Sequence, residues 1–182
     1  MKKILAIPGS TRKSSTNEKI LRFIAGNYAE QLEVDLYDQI DQLPHFASDI
    51  RESDLSDSVR DLRKRIGESD GVIFCTPEYV FSLPGSLKNA IDWNVSTTLF
   101  SGKPVGIIVA AASGEKAIES LHLIMTTIEA IVPDDACLLI KGAKGKIDEN
   151  GEIRDPITRE KIAKLVKALV STIEERIAEH PV

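Results

Sequence analysis

Short runs of consecutive apolar residues alternate along the chain with longer segments whose apolar residues recur every three or four positions. An uninterrupted apolar run is typical of a strand in a parallel sheet covered on both faces, and the longer spacing is typical of an amphipathic helix. Four such runs predict strands, at residues 4–7, 72–75, 105–111 and 137–140, and the short segment Val-Asp-Leu-Tyr at residues 34–37 predicts a fifth. Five helical segments follow them, at residues 17–32, 55–66, 84–95, 118–132 and 162–177.

This alternation of strands and helices predicts an α/β fold with helices on both faces of one parallel sheet. Five such units fit a doubly wound open sheet with strand order 2-1-3-4-5. The length of 182 residues suits a single domain, so we expect residues 1–182 to fold as one unit.

The composition restricts the possible functions more than it restricts the possible folds. The net charge of −5 argues against nucleic acid or an anionic membrane as the main partner, because both favour a basic surface. The apolar stretch at the amino terminus is too short for a signal peptide, and the run near residues 105–112 is too short to span a bilayer. We therefore expect a soluble, cytoplasmic protein.

The metal-ligating and nucleophilic residue types form no recognisable pattern. The two cysteines, Cys75 and Cys137, lie in predicted strands, so we expect buried, inert thiols. The histidines at positions 45, 122 and 180 have no metal-site spacing, and no Ser–His–Asp or paired-carboxylate arrangement is evident. We predict neither a metal site nor a catalytic side chain.

Ligands of such sheets bind beyond the carboxyl ends of the strands, where the strand order reverses. The loops after the first, third and fourth strands meet there, and they comprise residues 8–17, 76–84 and 112–116. All three have unusual compositions, so we expect the functional site among them.

The first loop contains many hydrogen-bonding side chains and leads directly into a helix. Free N–H groups and the helix dipole favour an anion there, and Arg12 adds a positive charge, so we interpret the loop as a phosphate site. The hydroxyl and amide side chains are those of Ser10, Thr11, Ser14, Ser15, Thr16 and Asn17. A structural alternative is that one of the last three only caps the helix.

The kind of phosphate can be narrowed by what the first loop lacks. Gly9 is its single glycine, so the dinucleotide pattern G-x-G-x-x-G is absent, as is the Gly-Lys-Ser/Thr ending of an NTP-binding loop. No aspartate ends the first strand and no cysteine occupies the loop, which excludes a phospho-acceptor domain and a cysteine-dependent phosphatase. A phosphate monoester, such as that of a mononucleotide cofactor, remains.

The other two loops suit the ring of such a cofactor. Between Pro77 and Pro84, the second loop carries aromatic and apolar residues that fit the face of a flat ring, although they could instead pack into the core or a dimer contact. In the third loop, Ser113 and Gly114 suit a backbone contact with a ligand edge, but also a simple turn with a helix cap. Trp93 could lie in the core or at a subunit interface.

Two separated motifs resemble those of one known family. Residues 9–17 read Gly-Ser-Thr-Arg-Lys-Ser-Ser-Thr-Asn and resemble the G-S-x-R-x-x-S-x-N phosphate loop of the NADPH-dependent FMN reductase family. Residues 77–93 resemble its second signature, P-E-Y-N-x-x-x-P-G-x-L-K-N-A-I-D-W. The resemblance extends over about residues 2–140. The family includes the flavodoxin-like quinone, chromate and azo-dye reductases. It implies a flavodoxin-like three-layer sandwich.

The resemblance also implies where FMN would bind. The phosphate would lie on Ser10, Arg12, Ser15, Thr16 and Asn17. The isoalloxazine ring would be bordered by Pro77, Glu78, Tyr79 and Val80, with Ser113 and Gly114 at its far edge. Two departures from the family pattern bear on flavin affinity: valine replaces the usual asparagine at position 80, and the third loop lacks the glycine-rich form.

The function implied is electron transfer from NADPH or NADH through FMN to a quinone, an azo compound, a metal oxyanion or free flavin. The resemblance and the apolar segment 80–93 suggest a homodimer, and a homotetramer is equally compatible. One alternative is a redox-inactive or sensory flavodoxin-like module, for which the two departures speak. A flavodoxin-like electron carrier is disfavoured by the arginine in the first loop.

Overall fold

A five-stranded parallel sheet forms the centre of the molecule, and the computed structural model describes residues 1–148 and 150–179. The strand order is β2-β1-β3-β4-β5, which confirms the predicted order 2-1-3-4-5 and the flavodoxin-like arrangement. The strands are β1 (Lys2–Pro8), β2 (Leu32–Leu36), β3 (Gly71–Thr76), β4 (Val105–Ala111) and β5 (Cys137–Lys141).

Helices cover both faces of the sheet and enclose a separate hydrophobic core on each. They are α1 (Thr16–Asn27), α2 (Asp57–Glu68), α3 (Gly85–Asp92), α4 (Glu115–Thr127) and α5 (Pro156–Glu179). In β1, Leu5 and Ile7 pack with α2, α3 and α4, whereas Ile4 and Ala6 pack with α1 and α5. Because successive side chains of a strand point to opposite faces, a strand between two cores must be apolar throughout.

The carboxyl ends of β1 and β3 lie side by side, where the strand order reverses. Pro8 pairs with Cys75, and the Gly9 N–H donates to the Cys75 carbonyl oxygen at 2.8 Å. A Cβ atom on Gly9 would collide with the buried side chain of Thr76 and lie 3.0 Å from a methyl carbon of Leu87. Only glycine therefore allows the first loop to begin this close to β3.

Three helices end earlier than predicted: α3, predicted at residues 84–95, ends at Asp92, and two others give way to strand-like residues. The helix predicted at residues 17–32 stops at Asn27, and Leu32 is apolar because it begins β2. The segment predicted at residues 118–132 stops at Thr127, where Glu129 adopts a left-handed φ of 64°. Ile131 then pairs beside β4, since the Val105 N–H donates to its carbonyl oxygen at 2.9 Å. In both cases a strand-like residue continued the helical spacing by coincidence.

Trp93 lies in the core and holds the long loop that precedes α2. Its indole N–H donates to the Pro44 carbonyl oxygen at 2.8 Å, and its ring meets Phe46 edge-on with centroids 5.3 Å apart. Most of the apolar residues between positions 83 and 93 are likewise buried within the protomer. Only the start of the segment 80–93, at Val80 and Phe81, presents large apolar side chains to solvent.

The cysteines are unpaired, but they differ in exposure. Cys75 is fully buried, as predicted, whereas Cys137 is only half-buried because it begins the edge strand β5. Burial raises the pKa of the Cys137 thiol to about 11, and Asp134 adds to the shift. His180 lies outside the described residues.

The described residues contain neither a metal-type cluster nor a helix able to cross a membrane. Within residues 1–148 and 150–179, no group of three or more histidine, cysteine, aspartate or glutamate side chains is placed to hold a metal ion. Across the same residues, no helix combines the length and the apolar character that crossing a membrane requires.

Candidate functional site

A cavity of about 410 Å³ opens at the carboxyl ends of the strands. It is lined by residues from the loops after β1, β3, β4 and β5, in agreement with the site expected at this edge. The lining residues are Ser10, Arg12, Ser15, Thr16, Asn17, Pro77, Glu78, Tyr79, Ala110, Ala111, Ala112, Gly142, Ala143 and Lys144. Of the predicted site residues, Val80, Ser113 and Gly114 lie outside this lining.

The start of α1 forms one end of the cavity. Ser15 is the helix cap, and its Oγ accepts a hydrogen bond from the Glu18 N–H at 3.2 Å. The structural alternative is thus confirmed for Ser15, yet the capping role does not exclude ligand binding. A hydroxyl that accepts one hydrogen bond still has its proton to donate, and the N–H groups of the first helical turn have no partner within the helix.

Glu18 fixes the shape of the loop that precedes this helix. Its carboxylate accepts from the Ser14 N–H at 2.9 Å and from Arg22 Nε at 2.8 Å. Ser14 has a left-handed φ of 54°, and the Ser10 hydroxyl accepts from the Arg12 N–H at 3.3 Å. These bonds hold a tight turn whose hydroxyl and guanidinium groups border the same cavity, which is an arrangement suited to an anion.

Asn17 connects the helix to β3. It is buried, and the Cys75 thiol donates to its Oδ1 at 3.5 Å. Burial raises the pKa of Cys75 well above its ordinary value, so the sulfur stays protonated and remains a donor. With its oxygen engaged, Asn17 has its amide N–H groups available to a ligand in the cavity.

Glu78 has a structural role that the sequence did not reveal. Its carboxylate crosses from the loop after β3 to the start of α4, where it accepts from the N–H groups of Gly114 (3.2 Å), Lys116 (3.0 Å) and Ala117 (3.0 Å). The Ser113 hydroxyl donates to it as well, at 2.9 Å. Glu78 therefore supplies the cap that the glycine at the helix start cannot.

The surroundings of Glu78 also keep its carboxyl group ionised. Desolvation raises the pKa of this carboxyl, but the hydrogen bonds from Ala117, Ser113, Gly114 and Lys116 outweigh that effect and hold the pKa below its ordinary value. The negative charge is thus directed to the helix start, so that the cavity contains no unpartnered carboxylate among its described lining residues.

The remaining walls of the cavity are apolar and flat. Ala110 and Ala111 end β4 and Ala112 follows them, which gives an alanine wall, and Pro77 and Tyr79 belong to the same cavity lining. Such small side chains leave room for a planar ring, and pockets for cofactor rings are mostly apolar with few polar groups.

Beyond Tyr79 the second loop makes a tight turn. The Tyr79 N–H donates to the Ser82 carbonyl oxygen at 2.9 Å, and the Ser82 N–H donates back to that of Tyr79 at 3.0 Å. Val80 and Phe81 form the two-residue tip with left-handed φ values of 50° and 56°. They are 97% and 76% exposed, so Phe81 does not fold back into the core, and neither does the half-exposed Tyr79.

The loop after β5 contributes residues that the sequence analysis missed. Gly142, Ala143 and Lys144 line the cavity, so that Lys144 adds a second cation to a lining that already contains Arg12. In the sequence, these residues are indicated by the stretch Gly-Ala-Lys-Gly at residues 142–145, which follows the last predicted strand after one lysine. Ligands bind at the carboxyl ends of parallel strands, and this applies to the loop after β5 as well as to the other three.

This set of groups fits FMN. A helix start, three hydroxyl side chains and a guanidinium at one end match a phosphate, and the alanine wall matches a planar ring. The cavity volume lies within the range of small-molecule sites.

Comparisons with known proteins agree with this geometry. The sequence profile of the NADPH-dependent FMN reductase family matches residues 2–145. An NADPH azoreductase of Bacillus sp. (strain OY1-2) is 29% identical over 178 residues, which cover 95% of each chain. A quinone reductase of Escherichia coli (strain K12) is 30% identical over 159 residues, covering 84% of this chain and 85% of the relative.

A solved structure gives the same result in three dimensions. The flavoenzyme NAD(P)H:(acceptor) oxidoreductase from Paracoccus denitrificans superimposes with a TM-score of 0.83 at 29% identity. The match covers 97% of this chain and 99% of that one. The family profile over residues 2–145, relatives matched over most of their length and one shared fold all agree, and the chain belongs to the NADPH-dependent FMN reductase family, whose oxidoreductases use FMN and NAD(P)H.

Proposed function

We propose that the cavity holds FMN and that the enzyme passes electrons from NADPH or NADH to small acceptors such as quinones, azo compounds, metal oxyanions or free flavin. The observation that carries the proposal is the convergence of a helix start, Arg12 and an apolar wall on one cavity. The azoreductase and quinone reductase named above support the choice of acceptors.

The phosphate end of the site follows from the donors available. We propose that Arg12 offsets part of the phosphate charge while hydroxyl, amide and first-turn N–H groups bind its oxygens. The residues concerned are Ser10, Arg12, Ser15, Thr16 and Asn17. Glu18 supports them indirectly, because it holds Ser14 and Arg22 in place.

The ring end is assigned to the second loop and the end of β4. We propose that Pro77, Tyr79 and Val80 border the isoalloxazine ring, opposite the alanine wall. Glu78 lines the cavity too, but its carboxylate is committed to α4. Ser113 and Gly114 would therefore act at the ring's edge chiefly by holding Glu78.

The protein's part in the reaction is binding and orientation. FMN, when bound, supplies the two-electron chemistry that links a nicotinamide donor to the acceptor. The cavity contributes cations at Arg12 and Lys144, a rigid ring wall and an open mouth through which donor and acceptor can approach in turn. Glu78 is the only carboxylate among the described lining residues, and its hydrogen bonds to the start of α4 keep it from acting as a free base.

Purified protein tests this function directly. Titration with FMN should give a one-to-one complex by calorimetry, and anaerobic NADPH should bleach the yellow colour. A quinone added afterwards should restore the colour and yield the hydroquinone. Absence of heat on FMN addition would overturn the cofactor assignment, and binding without bleaching by either nicotinamide would overturn the reductase assignment.

Three broader features are proposed with it. We infer a single domain, because α1 and α5 from opposite ends of the chain share one core. A homodimer or homotetramer is supported by Leu123, which is 66% exposed on α4. Light scattering of the wild type and of Leu123→Glu tests this assembly.

A cytoplasmic location is supported by the unpaired Cys75 and Cys137 and by the need for reduced nicotinamide.

A further inference from the structure

The loop after β5 returns across the carboxyl ends of the strands to the first turn of α1. Gly142 has a left-handed φ of 63°, and its N–H donates to the Ala111 carbonyl oxygen at 2.9 Å, so the loop begins beside the end of β4. Ala143 is buried in the core that α1 and α5 cover. Farther along, a Cβ atom on Gly151 would lie 3.5 Å from the Cβ atom of Lys19 in α1. The loop is therefore fixed to β4 at one end and to the start of α1 at the other.

Lys144 lies between these two fixed points. The Gly145 N–H donates to the Gly142 carbonyl oxygen at 3.0 Å, which holds the backbone around Lys144 in a tight turn. Lys144 itself is exposed, and it lines the same cavity as Thr16 and Asn17 of the first turn of α1. A fixed backbone thus presents a flexible ammonium group to the cavity that the helix start borders.

The basic side chains that flank Lys144 in the chain differ from it in one respect, because each has a carboxylate partner. The pairs are Lys141 with Glu115, Lys146 with Asp155 and Arg154 with Asp148. Across residues 1–148 and 150–179, Lys144 pairs with no acidic side chain. The carboxylate in the described cavity lining, that of Glu78, is bound to the start of α4. The Lys144 ammonium group is therefore suited to an anion in the cavity.

The charge of a bound phosphate calls for such a group. A phosphate monoester carries a charge of about −1.5 to −2 near neutral pH. Arg12 supplies one positive charge, and the start of a helix supplies the equivalent of about half a charge. Part of the phosphate charge is then still unbalanced, and Lys144 is the remaining cation of the described lining. Lysine binds phosphate as a point charge, which requires no fixed side-chain geometry.

We propose that Lys144 is the second phosphate-binding cation of the site. It reaches the phosphate of FMN from the loop after β5, whereas Arg12 reaches it from the loop after β1, and it makes the cavity selective for FMN over riboflavin, which has no phosphate. The inference rests on the proposed function and adds to it a residue outside both sequence motifs and the class of flavin that the site prefers.

The test compares two flavins on apoprotein, so that it does not depend on turnover. For Lys144→Ala, we expect the Kd for FMN to rise about tenfold, while the Kd for riboflavin stays within about twofold. The melting temperature of the apoprotein should not change, because Lys144 is exposed. Lys144→Arg keeps the charge, so its Kd for FMN should stay within about threefold of the wild-type value.

Lys146→Ala is the matched control. Lys146 belongs to the same loop, but it pairs with Asp155 at 3.9 Å and lies outside the cavity lining. This variant should bind FMN and riboflavin as the wild type does.

The salt dependence of binding gives a second measurement that uses FMN alone. Salt screens a contact between an exposed ammonium group and a phosphate, whereas it has little effect on a contact with an uncharged ring. The Kd for FMN should therefore rise less steeply with sodium chloride concentration in Lys144→Ala than in the wild type or in Lys146→Ala.

Three outcomes would overturn the proposal. Equal FMN affinities for the wild type and Lys144→Ala would place Lys144 outside the site. An equal loss of affinity for FMN and riboflavin, with an unchanged salt dependence, would place it at the ring. A raised KM for NADPH with an unchanged Kd for FMN would assign it to the nicotinamide donor. Failure of the wild type itself to bind FMN would instead overturn the proposed function, and this result is distinct because wild type and variant would then fail alike.

Discussion

At the scale of single residues, the cavity depends on a few side chains whose chemistry cannot be exchanged. Arg12 is exposed and sits on the first loop, where its guanidinium can meet a phosphate without supporting the core. A charge-assisted hydrogen bond of this kind contributes about 1.5–3 kcal/mol.

Arg12→Ala should therefore raise the Kd for FMN by about 10- to 150-fold, while the urea midpoint of unfolding stays unchanged. Calorimetric titration of the apoprotein measures the first quantity and fluorescence the second. Lys13→Ala is the matched control, since Lys13 is an exposed cation of the same loop outside the cavity lining. Equal FMN affinities for the two variants would remove Arg12 from the site.

Gly9 acts through the space it leaves free. Gly9→Ala would press a methyl group into Thr76, and overpacking of this kind costs about 1–3 kcal/mol. Denaturant unfolding should show that loss, together with weaker FMN binding, because the first loop would be displaced from β3. Gly26→Ala is the control: it lies in α1 with no atom within 4 Å of the added carbon, and should stabilise the helix by up to about 1 kcal/mol.

At the scale of elements, the site depends on a connection between two neighbouring strands. The Glu78 carboxylate joins the loop after β3 to the start of α4, so the cavity wall and the helix move as one body. Its lowered pKa means that the connection persists at neutral pH. The stability it provides is present above the ordinary carboxyl pKa of 4.5 and is lost as the pH falls through the lowered value.

Glu78→Gln should loosen this connection, because an amide has one acceptor oxygen in place of two and carries no charge. We expect faster hydrogen exchange at residues 114–117 and weaker FMN binding, with little change elsewhere. Glu115→Gln is the control. Glu115 also lies in the first turn of α4, but its carboxylate pairs with Lys141, so this variant should leave the FMN affinity unaltered. Unchanged exchange in the Glu78 variant would contradict the bracing role.

The sequence predicted the elements better than their connections. The period of the apolar residues was sufficient to place five strands and five helices, because every strand except the edge strand β2 contributes apolar side chains to both cores. The Glu78 contact could not be predicted, since it joins residues 36 to 39 positions apart that meet only once β3 and β4 are neighbours. The strained turn at Val80 and Phe81 could not be predicted either, because neither residue type favours a left-handed backbone conformation.

At the scale of the whole molecule, the edge opposite the cavity has an unusual feature of its own. Lys103 is buried near the start of β4, and its ammonium group donates to the Ser69 carbonyl oxygen at 2.5 Å. Burial lowers its pKa to about 8, with a further contribution from Arg176 that outweighs the opposite effect of Asp70.

This shift makes stability depend on pH. The unfolded chain keeps the Lys103 proton up to the ordinary pKa of 10.5, whereas the folded chain releases it near 8, so stability should rise between about pH 8 and 9. Above pH 9, Cys75 and Cys137 act in the opposite sense, because burial raises the pKa of both thiols, and above pH 10 Tyr37 does so as well, because burial raises its pKa to about 12. Urea midpoints across this range test the prediction, and Lys103→Met should flatten the curve. A flat wild-type curve would refute it.

The placement of Trp93 gives the molecule an internal reporter. Trp93 is the sole tryptophan in the chain, and it is buried against Phe46 and hydrogen-bonded to the Pro44 carbonyl oxygen. Its fluorescence should therefore have its maximum at short wavelength in the native state, and the maximum should move to longer wavelength on denaturation. Because bound flavin absorbs in the region where tryptophan emits, the same ring should be quenched by energy transfer as the cofactor is loaded. Folding and cofactor uptake can thus be followed in one cuvette without any added dye.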